Sequence, residues 1–274
     1  MPRKLLRDVA LYLVYTILTL VMVFPFVWMA SSAIKTPDLI FRYPPIIIPP
    51  NPTFENIRQV FVLAPFARYM FNSFFVSATV TIVALLFHSM AGYSLARLSY
   101  PGREYIFTGI LSTLMIPFYA IMIPLFILIR NLGWLDTYYA LIIPAIPHAF
   151  GIFMLRQFFL GLPRELEEAA VMDGCSLVGV YAKVAVPLAK PVMSALAIFF
   201  FIANWDSFLW PLIVTNSPQM RVVQIGIVQF IGEHGRSWNL VMAAATVAVI
   251  PSIILFFTLQ RHLVQGIKLT GLKS

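Results

Sequence analysis

Between Asp8 and Lys35 the chain runs for 26 residues without a charged side chain. A helix needs about 20 mostly apolar residues to cross the hydrocarbon core of a bilayer, so this single run is long enough to span one. The pattern recurs. Charge-free stretches cover 9–34, 69–96, 105–129, 137–155 and 237–260, and a further one, 191–220, is interrupted only by Asp206. No strand-period alternation competes with these runs, which argues against a membrane barrel. The expectation is an all-α integral membrane protein with six transmembrane helices. The first run exceeds the apolar region of about 7–15 residues of a secretory signal, so it reads as a retained span, with cleavage as the alternative. Composition agrees. Charged residues are 11% and hydrophobic ones 60% of 274 residues, against about 25% and 45–50% in a soluble domain.

Six spans put both ends on one side. With the N-terminus inside, 12 of the 19 Lys and Arg fall on inner segments and 7 on outer ones, several of those in a long first loop. The positive-inside rule then places both termini in the cytoplasm. The net charge of +8 is read in that light, with the lipid bilayer as surroundings and no nucleic acid as partner. Cys175 is the single cysteine, which excludes an internal disulfide and a cysteine metal cluster. His88, His148, His234 and His262 are scattered and form no metal-ligand spacing, so no metal is expected.

Proline marks two features. The outer loop 35–68 carries Pro37, Pro44, Pro45, Pro49, Pro50 and Pro52, and proline fixes its own φ while biasing the preceding residue toward extended geometry. The loop reads as an ordered extended strap or as a passive connector. Pro25, Pro117, Pro124, Pro144, Pro147, Pro211 and Pro251 lie within the apolar stretches, where each removes a backbone donor and can kink a helix.

One segment breaks the apolar pattern. PRELEEAAVMDG, residues 163–174, holds Glu165, Glu167, Glu168 and Asp173, four of only 11 acids in the chain. Pro163 suits the start of a helix, Glu165 suits its first turn, and Gly174 suits a left-handed end. Ser176 can cap a second short helix from Leu177 to about Lys183, ahead of Pro187. This predicts a helix of about three turns, a glycine corner and another short helix, on the cytoplasmic side. An amphipathic hairpin lying on the bilayer usually carries Lys and Arg toward anionic lipid. This one carries acids, which suits a protein pocket lined by cations.

These residues carry a resemblance. Glu168-Ala169-Ala170, Gly174 six residues after Glu168 and Pro187 thirteen after Gly174 resemble the EAA loop of ABC importer permeases. Val184 and Val186 stand where Ile and Leu are usual. FRYPPIIIPPNPTFENI, AGYSLARLSYPGR, RQFFLGLPRELEEAAVMDG, NWDSFLWPLIV and GIKLTGLKS extend the likeness over nearly the whole chain, to carbohydrate importer permeases of the maltose-permease type and their smaller subunit. The resemblance implies one type I ABC importer transmembrane domain over 1–274. It comprises the extracytoplasmic Pro-rich loop 35–68, a cytoplasmic EAA coupling loop 163–187 and a cytoplasmic tail 261–274. It also implies that Glu165, Glu168, Ala169, Ala170, Asp173, Gly174 and Pro187 form the element seated in a separate ATPase. The implied partners are a homologous second permease subunit, two ATPase subunits and an extracytoplasmic solute-binding protein, in a bacterial or archaeal cell membrane.

The chain itself lacks G-x-x-x-x-G-K-[ST], the loop that cradles ATP phosphates. It is therefore expected not to be an enzyme and to hold no cofactor of its own, with ATP and Mg bound by the partner. Asp206 is the one acid inside an apolar stretch and a suspect for the substrate path by its cost there. Asn204, Trp205, Ser207 and Trp210 flank it, and Asn72, Ser73 and Tyr93 are weaker candidates. Asp206 also reads as a helix-break residue satisfied by neighbouring backbone, and His88 as either a bundle or a pathway residue. The tail reads as an ATPase-side contact or as a disordered basic end. Cargo stays open between a sugar and a phosphorylated polyol such as a glycerol phosphate ester. An ion-coupled secondary transporter has one intramembrane acid to support it, and a membrane enzyme has no catalytic constellation.

Overall fold

The computed structural model describes residues 2–232 and 237–270, and among them every regular element is helical. In chain order, α1 (Pro2–Ala33) is followed by two short helices, α2 (Pro37–Ile40) and α3 (Glu55–Leu63), and then by α4 (Phe66–Arg97). α5 (Arg103–Ser112) and α6 (Phe118–Asn131) flank a 3₁₀ turn, Thr113–Met115. α7 (Tyr138–Ile142) passes through a second such turn, Ile143–Ala145, into α8 (Ala149–Leu160). α9 (Arg164–Met172) and α10 (Leu177–Val180) make a hairpin, continued by a π-helical segment, Tyr181–Ala185, and α11 (Val186–Leu188). α12 (Lys190–Trp205), α13 (Leu209–Val214), α14 (Val223–Gly232) and α15 (Trp238–Thr270) complete the chain.

Among the described residues, three helices are long and apolar enough to cross a membrane unbroken: Leu6–Ala33, Phe66–Arg97 and Trp238–Gln260. The number reaches six if each of three bent helix pairs counts as one span. Arg103–Met115 and Phe118–Asn131 meet at 99°, Tyr138–Ala145 and Ala149–Leu160 at 40°, and Leu177–Leu188 and Lys190–Trp205 at 73°. Proline explains the first break. Ile116 before Pro117 is extended, at φ −90° and ψ 112°, because the proline ring disfavours the α region for the residue ahead of it. Pro144 and Pro147 lie at the second break, whereas Pro25, Pro124 and Pro251 sit inside continuous helices. The stretch 191–220 is not one helix. α12 ends at Trp205, and Asp206 is its C-terminal cap.

The chain divides into two compact units. The first joins residues 1–67 to 225–250. Here the Pro-rich loop is ordered by the end of α1. Asn56 donates its side-chain amide to Ala33 O and Lys35 O, at 2.9 and 2.7 Å, and accepts from Asn239 Nδ2. Thr53 N donates to Ile34 O, and Ser31 Oγ to Ile47 O. The terminal carbonyls of α1 thus find donors beyond the helix, as helix ends require. The two ends of the strap are helical, and between α2 and α3 it has no regular secondary structure and bends repeatedly. Lys35 is fully buried with Nζ 4.0 Å from the centroid of the Trp28 ring.

The second unit joins residues 68–224 to 251–274. Its core gathers Ala84, Tyr93 and Ala96 of α4, Leu155 and Phe159 of α8, Ala185 and Ala189, and Leu196 and Phe200 of α12. Gly92 lets α4 and α8 touch, because a Cβ there would lie 2.9 Å from Leu155 Cβ and 3.0 Å from Arg156 N. Such small-residue contacts are how membrane helices approach closely.

Candidate functional site: an acidic hairpin and an aromatic cavity

The hairpin is built as its residues dictate. α9 ends in a turn where Cys175 N donates to Ala170 O and Gly174 N to Val171 O, both at 2.9 Å, with Gly174 at φ +84°. That is the pairing of a Schellman end, which calls for a left-handed residue at this position. Ser176 caps α10 by accepting from Gly179 N at 3.2 Å. The π-helical segment lies just ahead of Pro187, which has no N–H to offer the carbonyl of Lys183.

α9 sorts its side chains by face. Glu165, Glu168, Ala169, Asp173 and Gly174 are exposed, and Ala170 is half-buried. Large apolar groups accompany the exposed acids: Met172 is 88% exposed, and Leu166, Val171, Leu177 and Val178 are also open. Pro187 is exposed at the far end of the segment. The hairpin thus carries a mixed acidic and apolar face that is open to solvent among the described residues. Seven residues singled out for coupling fall on one continuous segment.

Glu167 differs from its neighbours. Its Oε1 lies 3.2 Å from Arg97 Nε, and the two side chains are only 16% and 6% exposed. Arg97 also donates Nη2 to Leu162 O, at the entry to the hairpin. The Tyr93 hydroxyl faces the same carboxylate, and its ring lies edge-on to Phe159 with centroids 5.4 Å apart. Tyr93 therefore sits beside the hairpin, about 31 Å along α4 from Asn72 at 1.5 Å per residue. A second buried cation lies nearby in the fold. Arg156 pairs with Glu104 through Nη2 at 2.8 and 2.9 Å, donates Nε to Leu95 O and stacks 3.9 Å from the Phe107 ring centroid. The signal for both pairs was present in the sequence. Arg97 and Arg156 each close a charge-free run, and each needs a carboxylate once helix packing covers it.

A cavity of about 340 Å³ lies elsewhere in this unit, walled by Ser73, Phe118, Tyr119, Asn204, Ser207 and Trp210 among others. Asn204 anchors itself by donating Nδ2 to Phe200 O at 2.7 Å, which leaves its carbonyl oxygen for other partners. Trp210 donates its indole N–H to Ala140 O at 2.9 Å and presents an aromatic wall. Ser73 Oγ accepts from Val223 N.

Other candidates sit outside this wall. Asp206 is exposed, does not line the cavity and accepts a hydrogen bond from Gln224 Nε2 at 3.2 Å. Trp205 is buried and stacked on Phe201 at 5.7 Å. Asn72 is a buried tie: Nδ2 donates to Gln219 O and Arg221 O, and Oδ1 accepts from Tyr138. His88 is a bundle residue that accepts from His148 N at 3.2 Å and faces Phe200 edge-on.

At the end of α13, Asp136 adopts φ 60° and accepts hydrogen bonds from Asn216 N and Ser217 N at 2.9 and 3.0 Å. Burial raises its pKa, but the donors from Ser217 and Asn216 outweigh that and hold it below the ordinary carboxylate value. Among the described residues no group of three or more His, Cys, Asp or Glu converges on a metal position. His234 and the end of the tail, 271–274, lie outside the described residues. The tail's start continues α15 as helix to Thr270.

Residues 88–269 match the family described as binding-protein-dependent transport system inner membrane component. The chain is 37% identical over 230 residues to the arabinooligosaccharides transport system permease protein AraQ of Halalkalibacterium halodurans, covering 84% of this chain and 82% of that one. It is 33% identical over 264 residues to the lactose transport system permease protein LacG of Rhizobium radiobacter, covering 96% of each. A solved chain from a bacterial ABC transporter involved in the import of the acidic polysaccharide alginate shares the fold. Its TM-score is 0.84 at 22% identity, over 95% of this chain and 98% of that chain.

Proposed function

Because the chain belongs to the family of inner membrane components of binding-protein-dependent transport systems, as a multi-pass permease with the type I ABC importer transmembrane fold, we propose that it forms half of the pathway of an ATP-driven importer for a sugar or oligosaccharide. The observation that carries this reading is the hairpin 163–187, an exposed acidic and apolar face on a rigid helical corner. Such a face suits a cleft lined by cations on an ATPase subunit. The small Ala169 lets α9 seat deeply, while Glu165, Glu168 and Asp173 offer carboxylates for charge-assisted hydrogen bonds. Hydrolysis of Mg-bound ATP belongs to two partner ATPases, since this chain carries no phosphate-cradling loop. A second, homologous permease completes the pathway, and an extracytoplasmic binding protein delivers cargo. Both termini and the hairpin face the cytoplasm.

In this mechanism nucleotide-driven closure of the ATPases draws the two hairpins together. The paired permeases rock about the membrane midplane, and the opened pathway accepts cargo from the binding protein. The names of some relatives, for arabinooligosaccharides and lactose, support a glycan cargo, while an sn-glycerol-3-phosphate permease of Brucella suis, 31% identical over 257 residues, keeps a phosphorylated polyol as the alternative. The cavity supports a glycan independently. Aromatic rings of Phe118, Tyr119 and Trp210 suit the apolar face of a sugar ring, and Asn204 and Ser207 suit its hydroxyls. None of the lining residues is Lys or Arg, which favours a neutral sugar over a phosphorylated polyol. The test is reconstitution with the cognate ATPase, second permease and binding protein in proteoliposomes. ATP-dependent uptake of a labelled neutral oligosaccharide is expected, and Glu168→Arg is expected to release the ATPase from the purified assembly. Retention of the ATPase with wild-type uptake in that variant overturns the docking role, and binding-protein selectivity for a glycerol phosphate ester overturns the cargo.

A further inference from the structure

Glu167 and Glu168 are adjacent acids with opposite surroundings. A helix rotates about 100° per residue, so when Glu168 points outward Glu167 turns back toward α4. There it meets Arg97, the last residue of a 32-residue helix. Among the described residues neither Arg97 Nε nor Glu167 Oε1 has another hydrogen-bond partner, so at these atoms the two side chains meet through their opposite charges. The same guanidinium holds Leu162 O. Tyr93, one turn earlier, faces the carboxylate and packs against Phe159 of α8 and Tyr181 of the π-helical segment, with ring centroids 5.4 and 5.3 Å apart. Parts of the chain separated by some 70 residues in sequence thus close on one buried ion pair.

We propose that the Arg97–Glu167 pair is the joint through which displacement of the hairpin moves α4, so that Glu167 positions the moving helix while Glu168 serves the docking face. This rests on the reading of the hairpin as the coupling element. The covalent chain already links the hairpin to α8 and α12, but nothing covalent near it reaches α4. Parting a buried ion pair leaves a charge bare in low dielectric, which is strongly unfavourable. Lifting the hairpin away from α4 therefore costs more than carrying α4 with it. α4 is about 48 Å long at 1.5 Å per residue, and its other end supplies Ser73 to the aromatic cavity. A shift at the joint is delivered to the wall of that cavity by a rigid rod.

The experiment uses the whole reconstituted importer and reads three quantities: ATPase retained in the purified assembly, ATP hydrolysed and cargo taken up. Glu167→Gln and Arg97→Met are expected to keep the ATPase bound and hydrolysing while uptake per ATP falls roughly 2- to 30-fold, the range expected when a coupling contact is lost. The exchanged pair Arg97→Glu with Glu167→Arg is expected to recover a substantial part of that ratio. An unchanged ratio in both single variants overturns the joint, as does an exchanged pair no better than the singles. Loss of the ATPase from Glu167→Gln would instead assign Glu167 to docking and equally overturns the proposal. Should Glu167→Gln fail to accumulate in the membrane, Arg97→Met carries the test from the other side of the pair, and a wild-type ratio there overturns the joint. Failure of the underlying docking reading would appear separately, as Glu168→Arg keeping its ATPase.

Discussion

The place where Gly151 would carry a side chain is occupied by the imidazole of His88, and a methyl group there would also come within 2.7 Å of Phe200 Cζ. The ring needs that space because it accepts a hydrogen bond from His148 N and lies edge-on to Phe200. Gly151→Ala must therefore displace either the ring or α12. Overpacking of this kind costs about 1–3 kcal/mol, to be seen as a lowered unfolding midpoint of the detergent-purified chain. Gly151→Ala combined with His88→Ala is expected to recover part of the loss, because the imidazole is then gone and only Phe200 must move. An unchanged midpoint in Gly151→Ala would refute the close contact.

Gly174 offers a contrast. Nothing lies within 4 Å of a Cβ built there, so a substitution meets no neighbour and acts through the backbone alone. At φ +84° an L-residue with a Cβ costs roughly 1–2 kcal/mol. Gly174→Ala is expected to loosen the corner and reduce uptake in the reconstituted importer. Gly174→Asn, which tolerates the left-handed region better, is expected to fall between it and the native chain. Equal uptake in all three would mean that the corner's geometry does not matter for coupling.

Much of the architecture was legible because charge reports solvent. The runs 9–34, 69–96 and 237–260 coincide with α1, α4 and α15, since a helix in lipid must exclude charge along its length. Continuity was not legible in the same way. The run 191–220 is almost as clean, yet the helix ends at Trp205, because absence of charge says nothing about where backbone hydrogen bonds stop. The hairpin was readable from Gly174 and Ser176, whose conformational roles are local. The division of labour between Glu167 and Glu168 was not, because both are glutamates and only the position of Arg97 separates them. Tyr93 stood among substrate-path candidates by its type, and its place beside the hairpin follows from where α4 ends.

Asp136 predicts an acid limb. Its two backbone donors hold its carboxyl below the usual carboxylate range in spite of the opposing effect of burial. A depressed native pKa contributes stability that is present above the unfolded value of 3.8 and is lost as pH falls through the native one. Stability from this group is therefore flat from neutral pH down to about pH 5 and declines below roughly pH 4. Asp136→Asn keeps a residue that tolerates φ 60° but removes the charge. It should lower the midpoint at pH 7 and flatten the acid limb, as scanning fluorimetry between pH 3 and 7 can measure. An acid limb identical to that of the native chain would remove Asp136 as its source.

Lys35 runs the opposite way. Its Nζ is buried, has no hydrogen-bond partner among the described residues and lies 4.0 Å from the centroid of the Trp28 ring. Burial lowers its pKa from 10.5. A lysine with a lowered native pKa weakens folding below that value, and the penalty fades as pH rises toward 10.5, because the unfolded chain binds the proton more tightly. Lys35→Met fills the same space without the charge and is expected to raise the unfolding midpoint at pH 7 and to abolish any gain as pH rises toward 10.5. A lower midpoint in Lys35→Met would show that the ammonium–ring contact outweighs the cost of burying the charge.

The cavity separates two residues that are close in sequence. Asn204 lies in its wall and is held by its own amide on Phe200 O, so its carbonyl oxygen points to a fixed place. Asp206, two residues on, caps α12 outside the wall and is tied to Gln224. Asp206→Asn preserves the shape and that hydrogen bond, so uptake is expected to stay within about twofold of the native importer. Asn204→Leu places an apolar branch where the proposed cargo would present a hydroxyl. Loss of one hydrogen bond to cargo is worth about 0.5–1.5 kcal/mol, or roughly 2- to 12-fold in apparent affinity for uptake at unchanged ATP hydrolysis. Trp210→Phe keeps an aromatic wall but drops the bond to Ala140 O, and is expected to lower stability more than affinity. If Asp206→Asn abolished uptake while Asn204→Leu left it intact, the cargo path would run past Asp206 and away from the aromatic cavity.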